Sequence, residues 1–163
     1  MSVMDYKTKL TAIQSALSTA NATGASYELF NNMQKPIQAI IQANPNKLAT
    51  SGHELPAITI EVDSANHTPS EFRSTATRGR EAIIDIIVTG MVWEDSRYDN
   101  DEDLADRECH YLAENIEEVL RADVTVSNNF ASLIPSETQF YDVLDEEAHF
   151  RACVITFQGK IFY

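Results

Sequence analysis

The sequence predicts an α+β fold: about four strands in a mainly antiparallel sheet, two main helices packed on one face, and a long arm between the first two strands. Three observations lead there. The run Glu81 to Trp93, EAIIDIIVTGMVW, alternates as a strand does. Two amphipathic helical stripes lie in residues 3–20 and about 101–121. Two further alternating runs flank Asp145-Glu146-Glu147 and read as a hairpin. A length of 163 residues suits a single domain, 1–163.

Taken in order, Val3, Tyr6, Leu10, Ile13, Leu17 and Ala20 recur at steps of three and four, which places them on one stripe of a helix. Gly24 fits the left-handed stop after it. Residues 26–43 carry a second, weaker helical pattern in Phe30, Met33, Ile37, Ile40 and Ile41, with Pro36 suited to a first turn. Pro56 to Val62 is a strand, with Ile58, Ile60 and Val62 facing a core.

A long polar connection then spans Asp63 to about Gly79, and with Arg80 it forms the arm, residues 64–80. Connections of this length tend to be functional or disordered. Arg73, Arg78 and Arg80 place a quarter of the 12 Lys and Arg residues here. The arm is either a solvated loop or a reach onto an acidic neighbouring surface.

In Glu81 to Trp93 the even positions Ala82, Ile84, Ile86, Val88, Gly90 and Val92 are all apolar or small and share one face. The odd positions are mixed, so that face meets water or another subunit. Gly90 predicts a bulge, a bend or a close backbone approach. Asp85 is the strand carboxylate to watch, facing solvent or paired with a cation, for which an arginine of the 64–80 arm is a candidate.

Asp99 or Asn100 can cap the next helix, which runs to about Arg121 and buries Ala105, Cys109, Leu112, Ile116 and Val119 or Leu120. Asp101, Glu102 and Asp103 suit its first turn, where the helix dipole favours negative charge. Between Glu94 and Asp123 stand 12 acidic residues and 3 arginines, so the outer face is negative. Val124 to Pro135 reads as a connector with room for a short strand. Thr138 to Leu144 and Ala148 to Phe157 form the terminal hairpin, with Gly159 as a bend before Ile161 to Tyr163.

The net charge is −13. Nucleic acid and anionic membranes recruit Lys and Arg, so this balance argues against both as bound partners. Its plainest consequence is solubility and self-repulsion. MSVMDYKTKL has no apolar secretory core, and no apolar run reaches the roughly 18 residues of a membrane span. Cys109 and Cys153 form no CxxC pair, and a reduced cytosolic setting is expected.

No motif names a reaction, and no catalytic residue, metal site or cofactor is expected. Asp99 to Asp103 lacks the glycine and glutamate that a calcium loop needs, because Leu104 and His110 hold those places. Glu146 and His149 stand three apart but without a second such pair. Cys109 lies on the apolar stripe and reads as a buried structural thiol.

The order of elements resembles the tail terminator, or tail completion, proteins of long-tailed bacteriophages of the lambda type, a family of minor tail proteins. The residues that carry the likeness are Leu55 to Val62, Arg80 to Glu94, Asp101 to Leu120, and Gln139 to Phe157 with its Tyr141-Asp-Val-Leu-Asp-Glu-Glu-Ala-His-Phe150 turn. Segment 26–54 is extra. The resemblance implies a non-enzymatic virion protein forming a ring, usually hexameric, on the head-proximal end of the tail tube. Its implied partners are further copies of itself, the tube protein, neck or connector proteins and the sheath of a contractile tail. DNA passes through such a ring without specific binding. A head–tail joining protein of the same build is the nearest alternative. A ligand-binding or enzymatic α+β domain and a cellular adaptor are alternatives of other classes.

Arg73, Arg78, Arg80, Asp85, Thr89 and Met91 are the expected subunit or tube contacts. Glu94, Asp95, Asp101, Glu102, Asp103, Glu146 and Glu147 are expected to line an acidic channel or a solvated face.

Overall fold

A computed structural model describes residues 5–46, 55–69, 80–93, 104–145 and 148–162. The fold is α+β, as expected. Helix α1 is Tyr6–Ala20 and strand β1 is Ala39–Ile41. Strands β2, Ala57–Pro69, and β3, Arg80–Trp93, follow. Helix α2 is Leu104–Ala122, and strands β4, Ser132–Asp145, and β5, Ala148–Phe162, end the described chain. The strands form one five-stranded sheet in the order β1-β2-β3-β5-β4. Only the β1–β2 pairing is parallel.

Both helices pack on the same face of the sheet. The even side of β3 supplies Ile84, Ile86 and Val88, all fully buried. Against them lie Ile13 and Leu17 of α1 and Cys109, Leu112 and Ile116 of α2, together with Ile155 and Phe157 of β5. This is the layer that the apolar face of residues 82–92 requires. Val119 is only partly buried, and Leu120 takes the core position.

Asp5 caps α1, its carboxylate accepting from the Thr8 N–H at 3.2 Å and the Thr8 hydroxyl at 2.7 Å. These bonds satisfy a donor that a helix start otherwise leaves open.

Residues 26–43 are not helical. Their apolar side chains do reach the core, with Leu29 and Ile37 buried, but through turns and a short strand. Asn21 fixes this path. Its Nδ2 donates to the Ile37 carbonyl at 2.8 Å, and the Ile37 N–H donates back to its Oδ1 at 3.0 Å. The Gln38 N–H bonds the Pro56 carbonyl at 2.7 Å, and β1 then pairs with Ala57 to Thr59. Long-range partners for the backbone outcompete a weak helical pattern broken by Pro36.

The arm is shorter than residues 64–80. Beyond a register shift between Val62 and Ser64, β2 continues pairing with β3 as far as Pro69 and Arg80. Polar composition hid this ladder, in which Ala65 packs against the core. The connector 124–135 does include strand at its end, since β4 begins at Ser132 with Pro135 inside it. Pro135 is tolerated there because β4 is an edge strand.

Gly159 does not bend β5. A Cβ at this position would lie 2.7 Å from Phe130 Cε1, so the glycine makes room for that ring.

Candidate functional site

The sheet face away from the helices carries three of the expected contact residues, Asp85, Thr89 and Met91. Register places side chains in rows across it. Ser64, Asp85, Gln158 and Ile134 form one row, and Asn66, Ile83, Lys160 and Ser132 the next. A row further along holds Thr59, Thr89, Val154 and Gln139, and another Ala57, Met91, Ala152 and Tyr141.

The two ends of this face differ. At one end Leu55, Ala57, Met91, Phe150 and Ala152 form a small second core with Ala39 and Ile41 against it. Thr59 and Thr89 are buried beside it. At the other end the face is open. Ile83 is 40% exposed and Ile134 55% exposed. On the second-core side Trp93 and Tyr141 remain exposed at the margins, and Trp93 leans on Phe150 with ring centroids 4.8 Å apart.

This arrangement corrects the expectation for two residues. Thr89 and Met91 are buried within the monomer, at 3% and 6% exposure, so neither offers a contact surface as folded. The reason is the second core, which strand alternation alone does not reveal. Asp85 keeps its place on the open end. Arg80 is exposed at the start of β3. Arg73 and Arg78 lie outside the described residues, as do Glu94, Asp95, Asp101, Glu102, Asp103, Glu146 and Glu147.

Asp85 is poorly satisfied. The Ser64 hydroxyl donates to its Oδ2 at 3.1 Å. Its Oδ1 is buried and has no hydrogen-bond partner. The neighbouring cation is committed elsewhere: Lys160 pairs with Glu81 at 3.1 Å and lies 5.3 Å from the Phe162 ring centroid.

Two other groupings stand apart from this face. Cys109 and Cys153 meet in the core, both fully buried. Bonding to Cys109 and burial together push the Cys153 thiol well above the ordinary thiol range. The same bond draws Cys109 down. On the helix side, a cleft of about 550 Å³ is lined by Tyr27, Glu28, Asn31 and Asn32 with Glu114, Asn115 and Glu118 of α2. Asn115 closes its floor, donating to the Asn31 carbonyl at 2.9 Å. The sequence did not signal this cleft, because it depends on how the turn at 25–32 packs on α2. Among the described residues no group of three or more His, Cys, Asp or Glu side chains could hold a metal. No described helix is long and apolar enough to cross a membrane.

Ser64, Ile83 and Ile134 also belong to the open face, though the sequence does not mark them as contacts. Ile83 was visible as an odd position of β3. Ile134 was not, because Pro135 disguised the start of β4.

No protein family matches the chain, and no curated protein matches it. Among solved structures, a chain of the virion of a native gene transfer agent particle is similar to it at 13% identity and a TM-score of 0.47. That likeness covers 98% of this chain and 100% of the other.

Proposed function

We propose that this chain is a structural virion protein that forms a ring on the head-proximal end of a phage tail tube. There it ends tube polymerisation and presents a docking surface to the neck. The observation that carries the reading is the sheet with one face covered by both helices and the other left half open. That open end carries Ile83, Ile134 and an incompletely bonded Asp85. A surface of this kind suits contact between subunits in a closed ring. The order of elements, which resembles tail terminators, supports the same role.

In this reading the partners are further copies of the chain in a hexamer, the tube protein, neck or connector proteins and, in a contractile tail, the sheath. The role is structural rather than enzymatic, with assembly in the host bacterial cytoplasm and residence in the virion neck. A net charge of −13 suits DNA conduction, because an acidic channel repels the phosphate backbone. Glu94, Asp95, Asp101, Glu102, Asp103, Glu146 and Glu147 are proposed to line that channel or face solvent. Arg73, Arg78 and Arg80 are proposed to contact a neighbouring subunit or the tube.

The test is polymerisation of the tube protein from the same genome with this chain present. Tubes of limited length with a ring at one end, seen by negative-stain microscopy, are expected. Replacing Arg73, Arg78 and Arg80 by Glu should impair capping. Tubes that grow to the same lengths with and without the chain would overturn the reading.

A further inference from the structure

We infer that Asp85 is the acceptor of a guanidinium from a second copy of this chain, with Arg80 as the donor, in a head-to-tail contact. The choice of a second copy rests on the ring-forming reading above. The chemistry rests on Asp85 itself. A carboxylate oxygen shielded from water without a hydrogen bond is costly, and pairing with a cation removes that cost. Oδ1 is in that condition. The aspartate χ2 torsion is soft, so a cation arriving on the open face can turn the carboxylate and engage both oxygens.

Charge complementarity selects the donor. The chain has 25 acidic residues against 12 Lys and Arg, so most surfaces of two copies repel. Arg80 is exposed, whereas Arg121 and Arg151 are already held by carboxylates of their own chain. Lys160, the basic side chain in the row beside Asp85, is held by Glu81.

Arg80 cannot serve its own Asp85. The two lie on one strand, five positions apart, which is about 17 Å at the rise of an extended chain. Positions of opposite parity also point to opposite faces of a strand. Donor and acceptor therefore occupy different surfaces of the monomer. A contact between them is heterologous, and repeated heterologous contacts close into a ring or run on as a filament. Ile83 and Ile134, exposed beside Asp85, supply apolar area to the same contact.

The experiment uses the whole chain. Sedimentation of the wild type, Asp85→Arg, Arg80→Asp and the double variant is followed from micromolar to millimolar concentration in low salt. Circular dichroism establishes that each variant is folded. Self-association of the wild type, its loss in both single variants and its recovery in the charge-swapped double variant are expected. Where Asp85→Arg fails to fold, Arg80→Asp, altered at an exposed site, still decides. Association unchanged in Arg80→Asp overturns the pairing. A wild type that stays monomeric throughout also overturns it, yet leaves tube capping standing, since that is read from tube length.

Discussion

Leu112 rests directly on Gly90: a Cβ at position 90 would lie 2.6 Å from Leu112 Cδ2 and 2.9 Å from Cys153 Sγ. The close approach is what brings α2 onto the centre of the sheet. Leu112 and Cys153 are both fully buried and hemmed in by the core, so neither can simply move aside. Gly90→Ala is expected to destabilise the fold by about 1–3 kcal/mol, the usual cost of overfilling a packed core. Urea unfolding measures it. Leu112→Ala in the same chain should make the added methyl less costly, giving a double-mutant cycle with a clear coupling term.

Asn21 holds residues 26–38 to the end of α1 by two bonds to the Ile37 backbone. Asn21→Ala leaves that N–H and carbonyl unpaired in a half-buried setting. A loss of about 1–3 kcal/mol is expected. Hydrogen exchange should speed up at Leu29 and Ile37 while the centre of β3 stays protected.

Arg151 joins three elements. It lies 2.5 Å from Asp142 on β4 and 2.6 Å from Asp106 on α2. The Asp142 bond raises its guanidinium above the ordinary arginine value. Both carboxylates are more than half exposed, so solvent screening keeps the effect modest. Arg151→Met should cost about 1 kcal/mol or less. Arg151→Lys should recover only part, because one ammonium cannot span both carboxylates as the planar fork does.

Cys109 and Cys153 are fully buried. A water-soluble thiol reagent is therefore expected to label neither in the native state and both in urea. Rapid native labelling would contradict the packing of α2 on β5.

Asp5 and Asp123 set an acid dependence. Bonds from Thr8 depress the Asp5 carboxyl, first through its hydroxyl, and bonds from Thr125 and Ser127 depress Asp123, first through the Thr125 hydroxyl. A carboxyl lowered in the folded state binds protons more weakly there than in the unfolded chain. Its contribution is complete above the ordinary carboxylate value of about 3.9. It is lost as pH falls through the lower folded value. Thermal unfolding between pH 5 and pH 2 should show this loss, and Asp5→Asn with Asp123→Asn should flatten the curve.

Periodicity made much of this fold legible. The even face of β3, the α1 stripe from Leu10 to Ala20 and the α2 stripe from Ala105 to Leu120 fall where their spacing places them. Each is a local pattern whose burial needs only a layer opposite. The segment 26–43 failed because Asn21 and Pro56, distant in sequence, supply its backbone partners. The ladder at 64–69 was hidden by its largely polar composition, and the extent of β4 by the proline inside it. For the candidate site, Asp85 was legible as a carboxylate on a mixed strand face. Its missing partner was not, since that depends on Ser64 and Gln158 from two other strands.

By itself, then, the sequence determined the α+β class, the helix-facing side of β3 and the strongly acidic character, because these follow from side-chain order and composition along the chain. Only the tertiary structure decided that Met91 is sealed in a second core and Thr89 buried beside it, while Asp85 and Ile83, on the same side of the same strand, stay open. The reason is physical. Alternation assigns a residue to a face, but what covers that face comes from segments remote in sequence.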